Sequence, residues 1–346
     1  MRKVLFLYTQ PQPFLEKLLN KLISLSYSVD FVYWGECVRF SDYTKRNVNF
    51  IARDDLTLKQ LIGLSNKPYQ LCYISGWQDK VYLLCALKLR KKSCKVVCGF
   101  DDQLKSSTKQ FILLIIGRFR LLKLFFDYCW VAGPFQTAYA RVAGFRNSEI
   151  IFDLLSADEC VFYPIDNYIR NDTSFTFLYV GRFLKLKGLD TLLEAWTKFS
   201  SLFPKARLVM IGEGSYEIPN LNNLDVYNFM GTEELSDFYR KSDCFILPSN
   251  FEQWGTVVHE AALSGLPIIT SKEVGSSATF LINKYNGFYF NSRSAKSLFE
   301  SMVNIYELDK ESLKSYREAS ITLSKRISSE SSFRNFISLS DGDCNV

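Results

Sequence analysis

Short apolar runs typical of β-strands alternate with helical stretches, and this alternation occurs twice along the 346 residues. In the first half the strand candidates are 3–8, 29–34, 70–74, 95–100 and 128–132. In the second half they are 175–180, 207–211, 225–229, 244–247, 267–270 and 287–290. Strands that alternate with helices form βαβ units on a parallel sheet. The predicted fold class is therefore α/β, with two Rossmann-like, doubly wound domains.

A polar, proline-bearing stretch at 163–174 separates the two series of strands and is typical of a linker. We therefore predict domains at 1–165 and 166–320, followed by a helix end and a mobile tail at 321–346. A chain of this length also exceeds the size at which single cores stop growing. Ligands of such sheets bind beyond the carboxyl ends of the strands, so we expect a central cleft between the two domains to hold the site.

The composition excludes several classes of protein. A net charge of +6 is too small for the clustered basic face of a nucleic-acid-binding protein, so we expect no nucleic-acid partner. Nine dispersed cysteines without a CxxC pair, beside a single histidine, lack the ligand pattern of zinc or iron-sulfur sites. They are typical of reduced thiols, so we predict a cytoplasmic protein without a bound metal or cofactor. The first eight residues hold too short an apolar run for a signal sequence.

Two cations follow the first strand of the second half. Gly181 permits a tight turn, Arg182 offers a planar fork of donors, and Lys187 adds a point charge just before the helix that begins near 189. Together they suit a diphosphate. The alternative is that both cations only decorate the exposed start of a helix, although cations there oppose the helix dipole. The two residues alone leave both interpretations open.

Two glutamates, Glu252 and Glu260, stand eight residues apart across a change from strand to helix. Eight helical residues rise by about 12 Å, which is about the span from the sugar to the ribose of a sugar nucleotide. Between the glutamates, the backbone N–H groups of Gly255, Thr256 and Val257 at the helix N-terminus suit phosphate oxygens. Glu252 would accept sugar hydroxyls and Glu260 both ribose hydroxyls. Alternatively, each glutamate is an ordinary solvated carboxylate.

These motifs occur in an order that resembles retaining glycosyltransferase family 4, which has the GT-B fold. The resemblance covers about 175–290. It rests on Gly181-Arg182 with Lys187-Gly188, on the turns at 211–214 and 230–231, on Ser242 to Ser249, and on Glu252 and Glu260 followed by 261–267. It implies catalytic roles for Arg182, Lys187 and Glu252 at the donor diphosphate and sugar. It also implies donor binding by Gly181, Gly212, Phe229, Met230, Gln253, Trp254, Gly255, Thr256, Val257, Val258 and Glu260.

The implied reaction moves a sugar from a UDP- or GDP-sugar to a hydroxyl acceptor with retention, without a metal. The acceptor would be a glycan or lipid-linked glycan in cell-surface polysaccharide synthesis, bound by the N-terminal half. That half departs from many relatives, because its loop at 9–13 lacks a Gly-Gly pair and it holds no histidine. Asp101 and Asp102, just past a strand, are candidates for acceptor contact, or else form a turn or helix cap. His259, the single histidine, adjoins Glu260 and is predicted to be a packing residue.

The apolar segment 111–126 contains Arg118, Arg120 and Lys123. It is too short and too charged to span a bilayer. It suits a helix at the inner face of an anionic membrane, or a buried helix whose cations snorkel to water. Two functions other than catalysis also stay open: a catalytically silent sugar-nucleotide-binding protein, and a peripheral membrane scaffold built around this segment.

Overall fold

The chain divides into two compact units in the computed structural model. The model describes residues 2–9, 15–35, 40–104, 112, 115–165 and 174–340. The first unit is Met1–Ser156 with Ser329–Val346, and the second is Ala157–Ser328. Parts of three predicted features lie outside the described residues. These parts are 166–173 of the linker, 10–13 of the loop at 9–13 and 341–346 of the tail. The sequence placed the domain boundary at 165/166, whereas the units meet at 156/157.

The first unit is built on a seven-stranded parallel sheet in the order β3-β2-β1-β4-β5-β6-β7. The strands are β1 (Lys3–Leu7), β2 (Ser28–Tyr33), β3 (Val48–Ala52), β4 (Leu71–Ile74), β5 (Lys95–Phe100), β6 (Tyr128–Val131) and β7 (Ile150–Ile151). The helices between them are α1 (Leu15–Ser24), α2 (Asp42–Asn47), α3 (Leu58–Leu64), α4 (Lys80–Arg90) and α5 (Pro134–Val142). The five strands expected in this half are confirmed, and β3 and β7 are two that the sequence did not indicate.

The second unit is built on a six-stranded parallel sheet in the order β10-β9-β8-β11-β12-β13. Its strands are β8 (Phe175–Val180), β9 (Ala206–Ile211), β10 (Leu224–Tyr227), β11 (Cys244–Leu247), β12 (Ile268–Ser271) and β13 (Gly287–Phe290). Its helices are α6 (Leu189–Leu202), α7 (Thr232–Lys241), α8 (Thr256–Leu263), α9 (Ser277–Phe280), α10 (Ala295–Tyr306) and α11 (Lys310–Ser324). All six predicted strands are confirmed. Two Rossmann-like sheets therefore form, as the alternation predicts.

The last described helix, α12 (Ser329–Ile337), belongs to the first unit rather than to the second. Phe336 is fully buried there and stacks on Trp130 with ring centroids 4.9 Å apart. It also packs against Phe6, at 5.6 Å between centroids. Residues 295–329 form α10, α11 and the start of α12 rather than one continuous helix. The chain breaks it twice, and Asp309 caps the start of α11 by accepting a hydrogen bond from the N–H of Ser312.

Within the part of the chain that the structure describes, no helix has the length and apolar character needed to cross a bilayer.

Candidate functional site

The strand order of the second unit reverses next to β8, because β9 pairs with one side of β8 and β11 with the other. The loops that follow β8 and β11 therefore leave the sheet side by side, where open α/β sheets bind ligands. The N–H of Asn250 donates to the carbonyl oxygen of Leu186 over 2.9 Å and joins the two loops. At Gly188 the chain adopts φ +71°, and a Cβ there would collide with the carbonyl oxygen of Pro248. The contact between the loops thus depends on a glycine.

Lys187 and Glu252 come from these two loops and form an ion pair with each other. Their side chains are only 13% and 17% exposed. The hydroxyl of Ser249 lies 3.4 Å from the same carboxylate oxygen, Oε2. Two residues that the resemblance assigns to the diphosphate and the sugar are thus brought together in one partly buried place. The positive charge of Lys187 and the negative charge of Glu252 therefore neutralise each other before a ligand binds.

Arg182 lies in the loop after β8, and its side chain is exposed. Its carbonyl oxygen accepts a hydrogen bond of 3.0 Å from the hydroxyl of Tyr179, a fully buried residue of β8. Burial raises the pKa of Tyr179 well above its usual value, the charge of Glu252 raises it further, and that of Arg182 lowers it. Both charged groups therefore act on one hydroxyl. Arg182 and Glu252 belong to the same electrostatic environment.

Gly181 and Gly212 follow neighbouring strands and touch each other. The N–H of Gly181 donates to the carbonyl oxygen of Ile211 over 3.0 Å. A Cβ on Gly212 would collide with the carbonyl oxygen of Gly181. The N–H of Gly212 donates in turn to the carbonyl oxygen of Tyr227 over 3.0 Å. The loops after β8, β9 and the end of β10 are thereby held together at one edge of the sheet.

Helix α8 begins at Thr256, four residues after Glu252, and lacks a side-chain cap. The N–H of Val258 bonds back to the carbonyl oxygen of Gly255 over 3.0 Å. Among the described residues, none accepts a hydrogen bond from the N–H groups of Thr256 and Val257. Unpaired N–H groups and the helix dipole both favour an anion at this end. The backbone N–H groups of Thr256 and Val257 are therefore available to a phosphate, as the sequence predicted.

Glu260 lies one turn further along α8 and is partly buried. Its Oε2 accepts a hydrogen bond of 2.9 Å from the hydroxyl of Tyr239, which is fully buried in α7. Burial raises the pKa of Glu260 to about 7, and the hydrogen bond from Tyr239 acts in the opposite direction. Glu260 is therefore not an ordinary solvated carboxylate. It is a carboxyl group that the fold holds in a partly buried position.

The remaining predicted donor-site residues differ in exposure. Gln253, Phe229 and Met230 reach the surface, and Phe229 is 75% exposed beyond the end of β10. Trp254, in contrast, is only 3% exposed, and its ring lies edge-on to Phe280 with centroids 6.0 Å apart. Trp254 therefore packs in the core beneath the start of α8. Of the pair at 253–254, Gln253 is the side chain that reaches solvent.

His259 is a packing residue, as predicted. It is 1% exposed and stacks on Phe280 with centroids 4.2 Å apart. Its Nδ1 accepts a hydrogen bond from the N–H of Ala157 over 2.9 Å, so Nε2–H donates to the carbonyl oxygen of Ser324 over 3.0 Å. Burial lowers the pKa of His259 to about 4. The ring is thus neutral and fully engaged, so it is not available as a catalytic base.

Asp101 and Asp102 lie in the first unit, directly after β5. The carbonyl oxygen of Asp101 accepts a hydrogen bond of 3.2 Å from Nε2 of Gln136. Burial of the carboxyl group raises the pKa of Asp101, and the neighbouring charge of Asp102 raises it further. Both aspartates thus stand at the carboxyl edge of the first sheet, where ligands of α/β sheets bind.

Comparison with known proteins assigns the second half of the chain. Residues 165–322 match the family model described as Glycosyl transferases group 1. Residues 165–322 are thus similar to this family. The structure is similar over 99% of this chain to that of Anabaena HepE in complex with UDP and glucose, with a TM-score of 0.76 and 14% identity over 100% of that chain. The likeness shows the GT-B fold.

Two curated relatives share more sequence with this chain over shorter stretches. An uncharacterized glycosyltransferase of Haemophilus influenzae is 31% identical over 135 residues, which are 37% of this chain and 38% of the relative. Alpha-monoglucosyldiacylglycerol synthase of Acholeplasma laidlawii is 29% identical over 147 residues, which are 40% of this chain and 36% of the relative. The chain thus matches less than two fifths of the length of either relative.

The segment 111–126 is helical at 115–118, and its residues 111, 113 and 114 lie outside the described residues. Gly117 faces the carbonyl oxygen of Val142 with no room for a Cβ. The large apolar side chains of the segment that are exposed are Ile112, Ile115, Phe119, Leu121 and Leu124.

Two of the three cations predicted to snorkel are bonded within the protein. Arg120 and Lys123 reach the carboxylate of Glu149 at 2.7 Å and 3.3 Å, and Arg118 is exposed.

Four residues to which the sequence assigned no role contribute to the candidate site. They are Tyr179, Tyr239, Ser249 and Asn250. The two tyrosines occupy positions that pattern alone assigns to a core, and only the hydrogen bonds to Arg182 and Glu260 distinguish them from packing residues. Ser249 ends one of the recognised motifs and Asn250 follows it in the loop after β11, which was the one available signal.

Proposed function

We propose that the protein transfers a sugar from a nucleotide sugar to a hydroxyl acceptor, with retention at the anomeric carbon and without a metal. The observation that carries this proposal is the Lys187–Glu252 pair beside the two unpaired N–H groups of Thr256 and Val257. Cation, carboxylate and helix N-terminus stand at the point where the strand order reverses. A diphosphate with a sugar at one end fits that set of donors and acceptors.

Each residue has a distinct role in the proposed reaction. Arg182, Lys187 and the start of α8 stabilise the negative charge that develops on the departing diphosphate, which is commonly the largest catalytic contribution. The Lys187 ammonium carries three donors, so it can keep Glu252 and bind a phosphate oxygen together. Glu252 then holds the donor sugar through its hydroxyls. The departing diphosphate accepts the acceptor's proton on the same face, so no protein nucleophile is required.

The donor in this proposal is a UDP- or GDP-sugar, and the ribose hydroxyls are bound by Glu260. HepE, which binds UDP and glucose, supports a nucleotide sugar. The acceptor is a glycan or lipid-linked glycan of a cell-surface polysaccharide, handled in the cytoplasm. The names of the relatives support this class, since one makes a glycosylated diacylglycerol and the structural relative WaaG acts in lipopolysaccharide biosynthesis.

A panel of UDP- and GDP-sugars tests the proposal by nucleotide release, with and without EDTA. Arg182→Ala should lower the rate about 100-fold or more, because it removes a donor aimed at the leaving group. Arg207→Ala is the matched control, since Arg207 pairs with Asp225 on the exposed edge of the same sheet. A loss below twofold in Arg182→Ala would remove Arg182 from the site. Nucleotide binding without release or transfer would instead favour a silent binding protein.

We also propose that the exposed apolar side chains at 112–124 rest on a membrane surface. They are Ile112, Ile115, Phe119, Leu121 and Leu124. Ile115 and Phe119 are four residues apart, about one helical turn, on the face opposite Gly117, and both are exposed. Exposed Arg118 beside them suits anionic headgroups.

Co-sedimentation with vesicles of phosphatidylglycerol and phosphatidylcholine tests the membrane contact. Phe119→Asp with Leu124→Asp should abolish binding, because both charges would enter the apolar layer. Leu202→Asp, at an exposed leucine of the second unit, is the control and should bind as the wild type does. Equal sedimentation of all three proteins would overturn this contact. Vesicle binding without any nucleotide affinity would favour a membrane scaffold instead.

A further inference from the structure

Tyr239 stands in α7 with its hydroxyl against α8. Its ring is fully buried, edge-on to Phe162 with centroids 5.3 Å apart. The hydroxyl lies 2.9 Å from Oε2 of Glu260 and 3.4 Å from the carbonyl oxygen of Val257. A hydroxyl has one proton to donate, and the shorter bond goes to the carboxylate. Tyr239 therefore fixes one particular oxygen of Glu260.

The second oxygen of Glu260, Oε1, accepts no hydrogen bond from the described residues. It is not among the buried polar atoms without a partner, so it retains access to solvent. The carboxylate thus has one oxygen bound to the fold and one open to a ligand.

We propose that Tyr239 is a positioning residue, whose hydroxyl holds Oε2 of Glu260 so that Oε1 faces the ribose hydroxyls of the donor. This inference rests on the proposed function, in which Glu260 binds the ribose. It adds a requirement for a residue that does not touch the donor itself.

The charges around Glu260 support this role. Burial raises the pKa of Glu260 to about 7, and Tyr239 is the only described residue whose side-chain contact lowers it. Arg240, the next residue along α7, is paired with Asp237. The same arginine bonds the carbonyl oxygen of Val161 over 3.4 Å. The hydroxyl of Tyr239 is therefore the described side-chain contact that favours the charged form of Glu260.

Tyr239→Phe removes this hydroxyl and keeps the ring. Losing one hydrogen bond to a carboxylate should raise the pKa of Glu260 by about one pH unit. If the donor requires the charged carboxylate, the change in ionisation alone should lower affinity for UDP about fivefold at pH 7 and less than about 1.5-fold at pH 8.5, and the lost positioning should add a further loss at both values. Calorimetry with UDP, and with GDP in a parallel series, measures both values.

Tyr289→Phe is the matched control. The hydroxyl of Tyr289 donates only to backbone carbonyl oxygens, those of Ser277 at 3.0 Å and Leu281 at 3.3 Å. Its loss should leave the pH dependence of binding unchanged. On a Glu260→Gln background, Tyr239→Phe should change affinity less than twofold, because no carboxylate remains to be positioned. If Tyr239 had only a structural role, Tyr239→Phe would lower affinity on the Glu260→Gln background by the same factor as in the wild type.

The outcomes separate the two proposals. If Glu260→Gln weakens nucleotide binding while Tyr239→Phe binds UDP as tightly as the wild type at pH 7, only the positioning role is overturned. If Glu260→Gln binds as tightly as the wild type, the ribose assignment and this inference fall together. An NMR titration of the Glu260 carboxyl carbon gives a second reading. An unchanged midpoint in Tyr239→Phe would also contradict the inference.

Discussion

Replacing Glu260 with glutamine should stabilise the protein at alkaline pH. Burial raises the pKa of Glu260 from 4.5 to about 7, which corresponds to at most about 3 kcal/mol at 1.36 kcal/mol per pH unit. Because the side chain keeps partial contact with solvent, we expect about half of that, ~1.5 kcal/mol. For a unit of this size this is a rise in Tm of about 3–6 °C.

The pH dependence fixes the sign of this effect. A carboxyl whose folded pKa lies above its unfolded pKa contributes most below pH 4.5, and that contribution is lost as pH rises to about 7. The glutamine variant has no such loss, so its advantage should be small at pH 5 and full at pH 8. Thermal unfolding at both values measures it, with Glu194→Gln, on the exposed face of α6, as the control. A variant less stable than wild type at pH 8 would refute the reasoning.

Three further changes probe the same unit. Gly188→Ala should cost at least about 2 kcal/mol in urea unfolding, because the new Cβ meets the Pro248 carbonyl at φ +71°. Lys187→Met should leave Glu252 buried without its partner and lower stability by about 1–3 kcal/mol; stability equal to wild type would mean that the pair is solvated. His259→Leu should lower Tm through its lost hydrogen bonds yet leave the pH profile of transfer between pH 6 and 8 unchanged; a shifted profile would contradict its packing role.

The strands of the second unit were predictable because each apolar run has clear limits in the sequence. Turn residues such as Gly181, Gly212 and Pro248 end the runs, and the polar residues after them fall at the carboxyl edge of the sheet. The first unit offered weaker limits. Strand β3 follows α2 without a turn residue between Asn47 and Val48, and β7 has only two residues. Pattern alone does not distinguish such strands from the ends of neighbouring helices.

The partners of the charged residues were not predictable from the sequence. Nothing in the spacing of Lys187 and Glu252, which are 65 residues apart, indicates that they pair with each other. Nor does the composition of α7 indicate that Tyr239 bonds Glu260. The inward position of Trp254 was missed for the same reason, since a residue between a loop and a helix can turn either way. The partners of these side chains and the orientation of Trp254 depend on packing between residues far apart in the sequence.

The return of α12 to the first unit has a consequence for how the protein is made. Residues 1–156 are synthesised before the second unit, but Phe336, which stacks on Trp130, is synthesised only after it. Domains commonly fold in order as they emerge. Here the first unit cannot complete its core until the second unit has been synthesised. Until then the rings of Trp130 and Phe6 lack their contact with Phe336. Nascent chains stalled before Ser329 should therefore be substrates for chaperones that bind exposed aromatic surfaces.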